Sequence, residues 1–258
     1  MAKPQPEQQQ LPVAQRLRVR YAKRGPMRFT SHRDFARAFE RAVRRAGLPV
    51  AYSQGFTPHP KISYASAAPT GTASEAEYLE IALHTPVDPE AARAALDAAL
   101  SPGLDVLEVR LAGPGPSLSE RLEASRWRIE LPGVSAEQLA KAVAAFLAAD
   151  EVMVERLTKQ GRRRFDARRA VIAVEPGAVP DTEAAEECAM MELVVRQGSP
   201  AVRPDDVLAG LRVVAGLEPP VPPRVTRLAQ GMVTPRGEIA DPLEEDTAIG
   251  QAGPWVAG

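Results

Sequence analysis

Residues 53–61 read Ser-Gln-Gly-Phe-Thr-Pro-His-Pro-Lys. Two prolines enclose His59, one of only 3 histidines in 258 residues, with Phe56 on one side and Lys61 on the other. Proline fixes its own φ and drives the residue before it toward extended backbone, so Pro58 and Pro60 stiffen Thr57 and His59 as well. A stiff loop suits either a structural corner or a surface that presents His59 and Lys61 in one geometry. As a contact surface for RNA it offers the ring of Phe56 for stacking, the amide of Gln54 and the charge of Lys61 for phosphate. As a reaction centre it offers His59 and Lys61, with His32, Tyr52 and Tyr64, for metal-independent acid–base cleavage of RNA. A lone histidine is more often hydrogen-bonded to a nearby carbonyl, so His32, His59 and Lys61 stay candidates and no catalytic residue is assigned. A metal site would need His32, His59, His84 and Cys188 to converge, and none has a short ligand spacing, so neither metal nor cofactor is expected.

A second constellation is cationic. Arg33, Arg37, Arg41 and Arg44 recur at helical spacing opposite an apolar stripe of Phe35, Ala38, Phe39, Ala42, Val43 and Ala46. The guanidinium fork matches phosphate oxygens, so such a row can grip a nucleic-acid backbone. The competing reading is a solvated helix face in which Glu40 pairs with Arg37 or Arg44. Arg28, just before the helix, extends the set. A further run holds Lys159, Arg162, Arg163, Arg164 and Arg168. The net charge of −1 conceals this segregation. Between Arg16 and Arg45 eleven Lys and Arg face Asp34 and Glu40 alone, and the residues after 169 are acidic in balance. Two basic surfaces in a nearly neutral chain point to an anionic partner, with RNA as the expected one.

The elements that must position these residues repeat. The first half reads as a strand at Leu17–Tyr21, a helix at Ser31–Ala46, an extended stretch at Lys61–Ala65, a strand at Glu77–His84, a helix at Pro89–Leu100 and a strand at Leu104–Leu111. The second reads as a strand at Arg126–Leu131, a helix at Ala136–Ala148, strands at Val152–Leu157 and Ala189–Arg196, a helix at Pro204–Val214 and a strand at Arg224–Ala229. Both orders are β-α-β-β-α-β, which predicts an α+β fold of two ferredoxin-like halves in tandem. The expected division is a disordered tail at 1–15, a first half at 16–112, a Gly/Pro linker at 113–125, a second half at 126–231 and an acidic, disordered tail at 232–258.

Residues 18–81, with Phe29, Ser31, His32, Asp34, Arg41, Arg44, Gly47, Tyr52, Ser53, Gly55, Phe56, Pro58, Pro60 and Gly71 in the family's positions, resemble the radical SAM-linked protein family. In many members this domain of unknown function follows a cobalamin-binding radical SAM enzyme on the same chain; in others it stands alone, which is the form expected here. Thr158–Arg169 is similar to the family's basic hairpin and the Asp-x-Arg step after it, with Ala167 and Arg169 where an aliphatic residue and a proline are expected. The resemblance implies a radical SAM enzyme or a ribonuclease as a protein partner and supplies no activity of its own.

Several classes are excluded or disfavoured by composition. A radical SAM cluster needs three cysteines and the chain has 1, so it cannot perform that chemistry itself. No apolar run approaches the ~20 residues needed to cross a bilayer, and the polar, Gln/Pro-rich start lacks a signal core, so no membrane contact and a cytoplasmic location are expected. The reading that results is an RNA-binding accessory to RNA processing, modification or ribosome assembly. A protein–protein adaptor is the alternative, and a metal-independent RNA-cleaving enzyme is third.

Overall fold

The computed structural model describes residues 11–54, 56–158, 161–178, 187–235 and 237–244. Lys159 of the second basic run, Gly55 of the histidine loop and the ranges 1–10 and 245–258 of the expected tails lie outside the described residues. The chain divides into two compact units, one from residues 1–67, 77–118 and 243–258 and one from 68–76 and 119–242.

In the first unit, strand β1 (Gln15–Lys23) passes through a 3-10 turn (Gly25–Phe29) into helix α1 (His32–Arg45). Strands β2 (Ile62–Ala65) and β3 (Ala73–Leu83), helix α2 (Pro89–Ala99) and strand β4 (Leu104–Leu111) follow. The strands lie side by side in the order β4-β1-β3-β2. Alternation along β1 sends Leu17, Val19 and Tyr21 into one core with Phe35, Phe39 and Val43 of α1 and Leu79, Ile81 and Leu83 of β3. Tyr21 stacks on Phe35 with ring centroids 4.5 Å apart. Burial of each large apolar side chain stabilises by about 1.5–3 kcal/mol, so the apolar stripe holds α1 more than helix propensity does. Ser31 caps the helix: its Oγ accepts the Asp34 N–H at 3.2 Å and donates to Asp34 Oδ2 at 2.7 Å. Gly47, with φ of +66°, ends it in the left-handed conformation that glycine adopts without strain.

The second unit begins its sheet with β5 (Ala124–Pro132), after a short helix α3 (Leu118–Arg121). Helix α4 (Ala136–Ala148), strands β6 (Met153–Thr158), β7 (Gly161–Asp166), β8 (Val171–Ala178) and β9 (Cys188–Arg196), helix α5 (Pro204–Ala215) and strand β10 (Arg224–Gly231) complete it. Its strand order is β10-β5-β9-β8, all antiparallel. Ala73 and Ser74, at the start of β3, belong to this unit and pair in parallel with Thr226 and Arg227 of β10. Helices α4 and α5 approach closely at Gly210, where a Cβ would stand 2.7 Å from the Phe146 ring. Counted within each unit, the strands of both sheets run fourth, first, third, second, and both chains of elements run β-α-β-β-α-β. The protein is α+β, with two ferredoxin-like halves in tandem.

Three expectations differ from the structure. Val152–Leu157, expected as the second sheet strand of its half, forms β6 and pairs with β7 in a separate two-stranded sheet. The sheet position belongs to β8, whose Pro176 and Gly177 break the strand pattern in sequence; the edge of a sheet tolerates them because no ladder bond is required on the outer side. Within the expected linker 113–125, Leu122 and Arg121 are buried and Arg121 Nη1 donates to the Pro242 carbonyl at 2.8 Å. In the expected second tail Val233 bridges Ile239 and the Ala240 N–H donates to the Met232 carbonyl at 3.0 Å, so the described residues there fold back. Their Gly, Pro and charged residues carry no periodicity that reveals such packing.

Candidate nucleic-acid interface

Phe35, Phe39, Ala42 and Val43 bury one face of α1, so Arg33, Arg37, Arg41 and Arg44 are exposed on the other. Among the described residues no carboxylate lies within 4.0 Å of any of the four, and the expected pairing of Glu40 with Arg37 or Arg44 is not formed. Glu40 instead acts on Tyr64: burial first, and the Glu40 charge second, push the Tyr64 phenol above the ordinary tyrosine range. The row therefore carries uncompensated repulsion. Arg33–Arg37 and Arg37–Arg41 are i,i+4 like-charge pairs, each destabilising by about 0.2–0.5 kcal/mol.

The histidine loop is a hairpin standing on the edge of β3. Val50 bridges Leu83, the Ala51 N–H donates to the Ala82 carbonyl and the Lys61 N–H to the Ala51 carbonyl, both at 2.8 Å. Tyr52 bridges Pro60, and Ser53 closes the arms: its N–H donates to the His59 carbonyl at 2.8 Å while its Oγ accepts the His59 N–H at 3.0 Å. The backbone of His59 is thus used up in shape while its imidazole is exposed. Gln54, His59 and Lys61 are exposed, and Phe56 is 95% exposed. The hairpin's backbone bonds are internal, and the exposed side chains of Gln54, Phe56, His59 and Lys61 are left out of that bonding.

The second basic run sits on a hairpin too. In β6–β7, Val154 opposes Phe165 on the face that joins the core, while Glu155 opposes Arg164 and Leu157 opposes Arg162 on the outer face. Arg156 anchors the hairpin: Nη1 reaches Asp206 Oδ2 at 2.8 Å, and the guanidinium lies 5.0 Å from the Phe165 ring centroid. Burial pushes the Asp206 carboxyl up, against the Arg203 N–H and Arg156, which favour its charge. Arg162 pairs with Glu155 at 3.1 Å in the open, whereas Arg163 and Arg164 are exposed with no carboxylate partner among the described residues. Arg168 differs from the others. It is half-buried, with its N–H on Asp166 Oδ1 at 2.9 Å and Nη1 on the Val171 carbonyl at 3.4 Å, so it shapes the turn after Asp166.

The two hairpins occupy the same topological place. Each is inserted between the first helix and the second sheet strand of its half; the first carries His59 and Lys61 after the arginine row of α1, and the second carries Arg162, Arg163 and Arg164. Four arginines of the larger sheets are paired instead. Arg16 pairs with Glu80 at 2.9 Å, Arg110 with Glu108 at 2.6 Å, Arg128 with Glu192 at 3.3 Å and Arg224 with Glu130 at 2.8 Å. Among the described residues the exposed aromatic side chains are Phe29, Tyr52 and Phe56, all outside the sheets. Phe29, 60% exposed beside Arg28, was not singled out as a contact in the sequence; its signal is an aromatic residue that falls before the helix cap and outside the buried stripe.

The acid–base candidates do not form a linked set. His32 lies edge-on to Tyr64, and no hydrogen bond joins His32, His59 and Lys61 among the described residues. No group of three or more His, Cys, Asp or Glu among the described residues is placed to hold a metal ion. No helix among them is long and apolar enough to cross a membrane.

The fold is that of a duplicated ferredoxin-like protein, with exposed arginines on α1 of the first unit and on the β6–β7 hairpin of the second. The chain belongs to the family described as "Uncharacterized protein conserved in bacteria (DUF2344)", whose model matches residues 16–204. No curated protein matches it. A solved structure to which it is similar is that of the first two RRM domains of yeast poly(U) binding protein, at 12% identity and a TM-score of 0.21, covering 82% of this chain and 98% of that one.

Proposed function

We propose that the protein binds RNA as an accessory to RNA processing, modification or ribosome assembly. In this reading Arg33, Arg37, Arg41 and Arg44 of α1, with Arg28, hold phosphates. Arg162, Arg163 and Arg164 of the β6–β7 hairpin do the same, and Gln54, Phe56, His59 and Lys61 contact bases and backbone. Lys159 belongs to this set by sequence alone, and Arg168 serves the turn. The observation that carries the reading is the unpaired arginine row of α1, in a protein where Arg16, Arg110, Arg128 and Arg224 of the larger sheets are matched to carboxylates. Exposed cations left without partners at a cost in helix stability are the footprint of an anionic ligand. Crosslinking in cells followed by sequencing of bound RNA tests it: a reproducible set of RNAs, lost in an Arg33→Ala/Arg37→Ala/Arg41→Ala variant, is expected, and recovery of no RNA above background overturns it.

A second reading makes the protein an adaptor that docks a radical SAM enzyme or a ribonuclease. It is favoured by Leu157, 79% exposed on the outer face of β6–β7, an apolar anchor that phosphate binding does not use. Copurification of such an enzyme that survives nuclease treatment and fails in Leu157→Asp supports it.

A further inference from the structure

The chain has 6 phenylalanines, and four of them, Phe35, Phe39, Phe146 and Phe165, are buried at 7% exposure or less. The other two, Phe29 and Phe56, are 60% and 95% exposed, and they flank α1 in sequence. Phe29 closes the 3-10 turn that delivers the chain to the Ser31 cap. The residues around it do not cover it as a hydrophobic staple would. The Arg28 guanidinium carbon instead lies 4.6 Å from its ring centroid, so one face of the ring is capped by a cation and the ring as a whole stays open to solvent. Four residues further on begins the arginine row, which spans about 16 Å from Arg33 to Arg44 at 1.5 Å per residue. That is the length of about five nucleotides stacked at 3.4 Å.

We infer that Phe29 is a stacking position for the base of an unpaired nucleotide, which makes the ligand of this surface single-stranded or looped RNA rather than duplex. The inference rests on the RNA-binding reading above and adds the class of ligand. A base in a duplex has both faces covered by its neighbours and offers none to Phe29, and the deep, narrow major groove of A-form RNA does not admit side chains. An unpaired base has a free π-face, and its phosphate falls within reach of an adjacent cationic row. Arg28 polarises and orients the ring from the opposite side. Charge complementarity selects a nucleic acid over an apolar protein partner, because the exposed ring carries the Arg28 guanidinium 4.6 Å from its centroid and the helix that follows it in sequence carries the exposed arginine row.

The full-length protein is titrated with a short oligoribonucleotide of mixed sequence and with the blunt duplex formed by annealing it to its complement. Wild-type protein is expected to bind the single strand more tightly than the duplex. Phe29→Leu keeps apolar bulk but loses the π-face, and it is expected to weaken single-strand binding by about 5- to 150-fold while leaving duplex binding unchanged. Phe29→Trp is expected to retain or improve it. Unchanged unfolding transitions for both variants show that the fold is intact. If wild type binds RNA but Phe29→Leu binds the single strand equally well, or loses strand and duplex affinity alike, the stacking role is overturned and the phosphate-binding reading stands. If neither RNA binds, both fall together.

Discussion

His32 lies edge-on to Tyr64, ring centroids 5.3 Å apart and planes at 90°, so the first residue of α1 is tied to the middle of β2. Tyr64 also meets Phe35 at 5.9 Å and Phe39 at 6.5 Å and directs its hydroxyl at the Ala36 carbonyl. Since β2 starts directly after Lys61, this contact fixes the return arm of the histidine hairpin against the helix that carries the arginine row. Tyr64→Phe keeps the ring contacts and is expected to change stability by less than about 0.5 kcal/mol at neutral pH. Tyr64→Ala opens a cavity and is expected to cost about 2–4 kcal/mol, less than full aromatic truncation because the ring is only half-buried.

The same tyrosine gives a pH prediction. Burial, with Glu40 second, raises its phenol above the ordinary value, so the folded state keeps a proton that the unfolded chain releases near pH 10. Its contribution is complete below that pH and is lost as pH rises through the alkaline range. Urea unfolding followed from about pH 8 to 11 is expected to show a decline that Tyr64→Phe makes shallower. Parallel declines in wild type and variant would contradict the assignment.

Arg37 has like-charged neighbours at both i−4 and i+4, and no carboxylate partner among the described residues. Arg37→Ala removes two repulsions and installs the best helix former, so it is expected to leave stability unchanged or raise it by up to about 0.5–1 kcal/mol. RNA affinity is expected to fall. A loss of stability on this substitution, measured by thermal unfolding, would mean that Arg37 has an intramolecular role.

Salt dependence separates phosphate contacts from the rest. Each phosphate neutralised contributes a slope of about −0.7 to the logarithm of affinity against the logarithm of salt on a single strand. Removing Arg33, Arg37 and Arg41 together is expected to flatten that slope by about 2. Arg168→Ala, by contrast, is expected to lower stability and leave the slope alone. An unchanged slope in the triple variant would show that α1 does not touch the backbone.

Much of this architecture is written in periodicity. The buried stripe from Phe35 to Ala46 and the capping spacing of Ser31 and Asp34 predict α1 within one residue at each end, because helix packing and capping both leave a mark on neighbouring residues. β8 left no such mark: Pro176 and Gly177 are strand breakers, and only its place at a sheet edge makes them harmless. The pairing state of each arginine was equally illegible. Arg16 and Arg33 look alike in sequence, yet Glu80 lies 64 residues from its partner Arg16, and that distance is closed only by the fold. Arg168 reads as one more basic residue until its contacts with Asp166 and Val171 are seen.

The hairpin from Tyr52 to Pro60 separates residues that make shape from residues that make contact, and neighbouring substitutions can tell them apart. Ser53 Oγ accepts the His59 N–H, so Ser53→Ala leaves that donor to water and is expected to cost about 0.5–1.5 kcal/mol in stability, with a modest loss of RNA affinity as the tip loosens. His59→Ala keeps its backbone bonds and loses only an exposed ring, so stability is expected to hold within about 0.5 kcal/mol while RNA affinity falls. Lys61→Ala is expected to behave like His59→Ala, with the added signature of a shallower salt slope. Pro58→Ala frees the unfolded chain and is expected to lower stability by roughly 0.4–1 kcal/mol. If His59→Ala unfolds the protein, or if His59→Ala and Lys61→Ala both bind RNA as tightly as wild type, the hairpin is a structural corner and its contact role is lost.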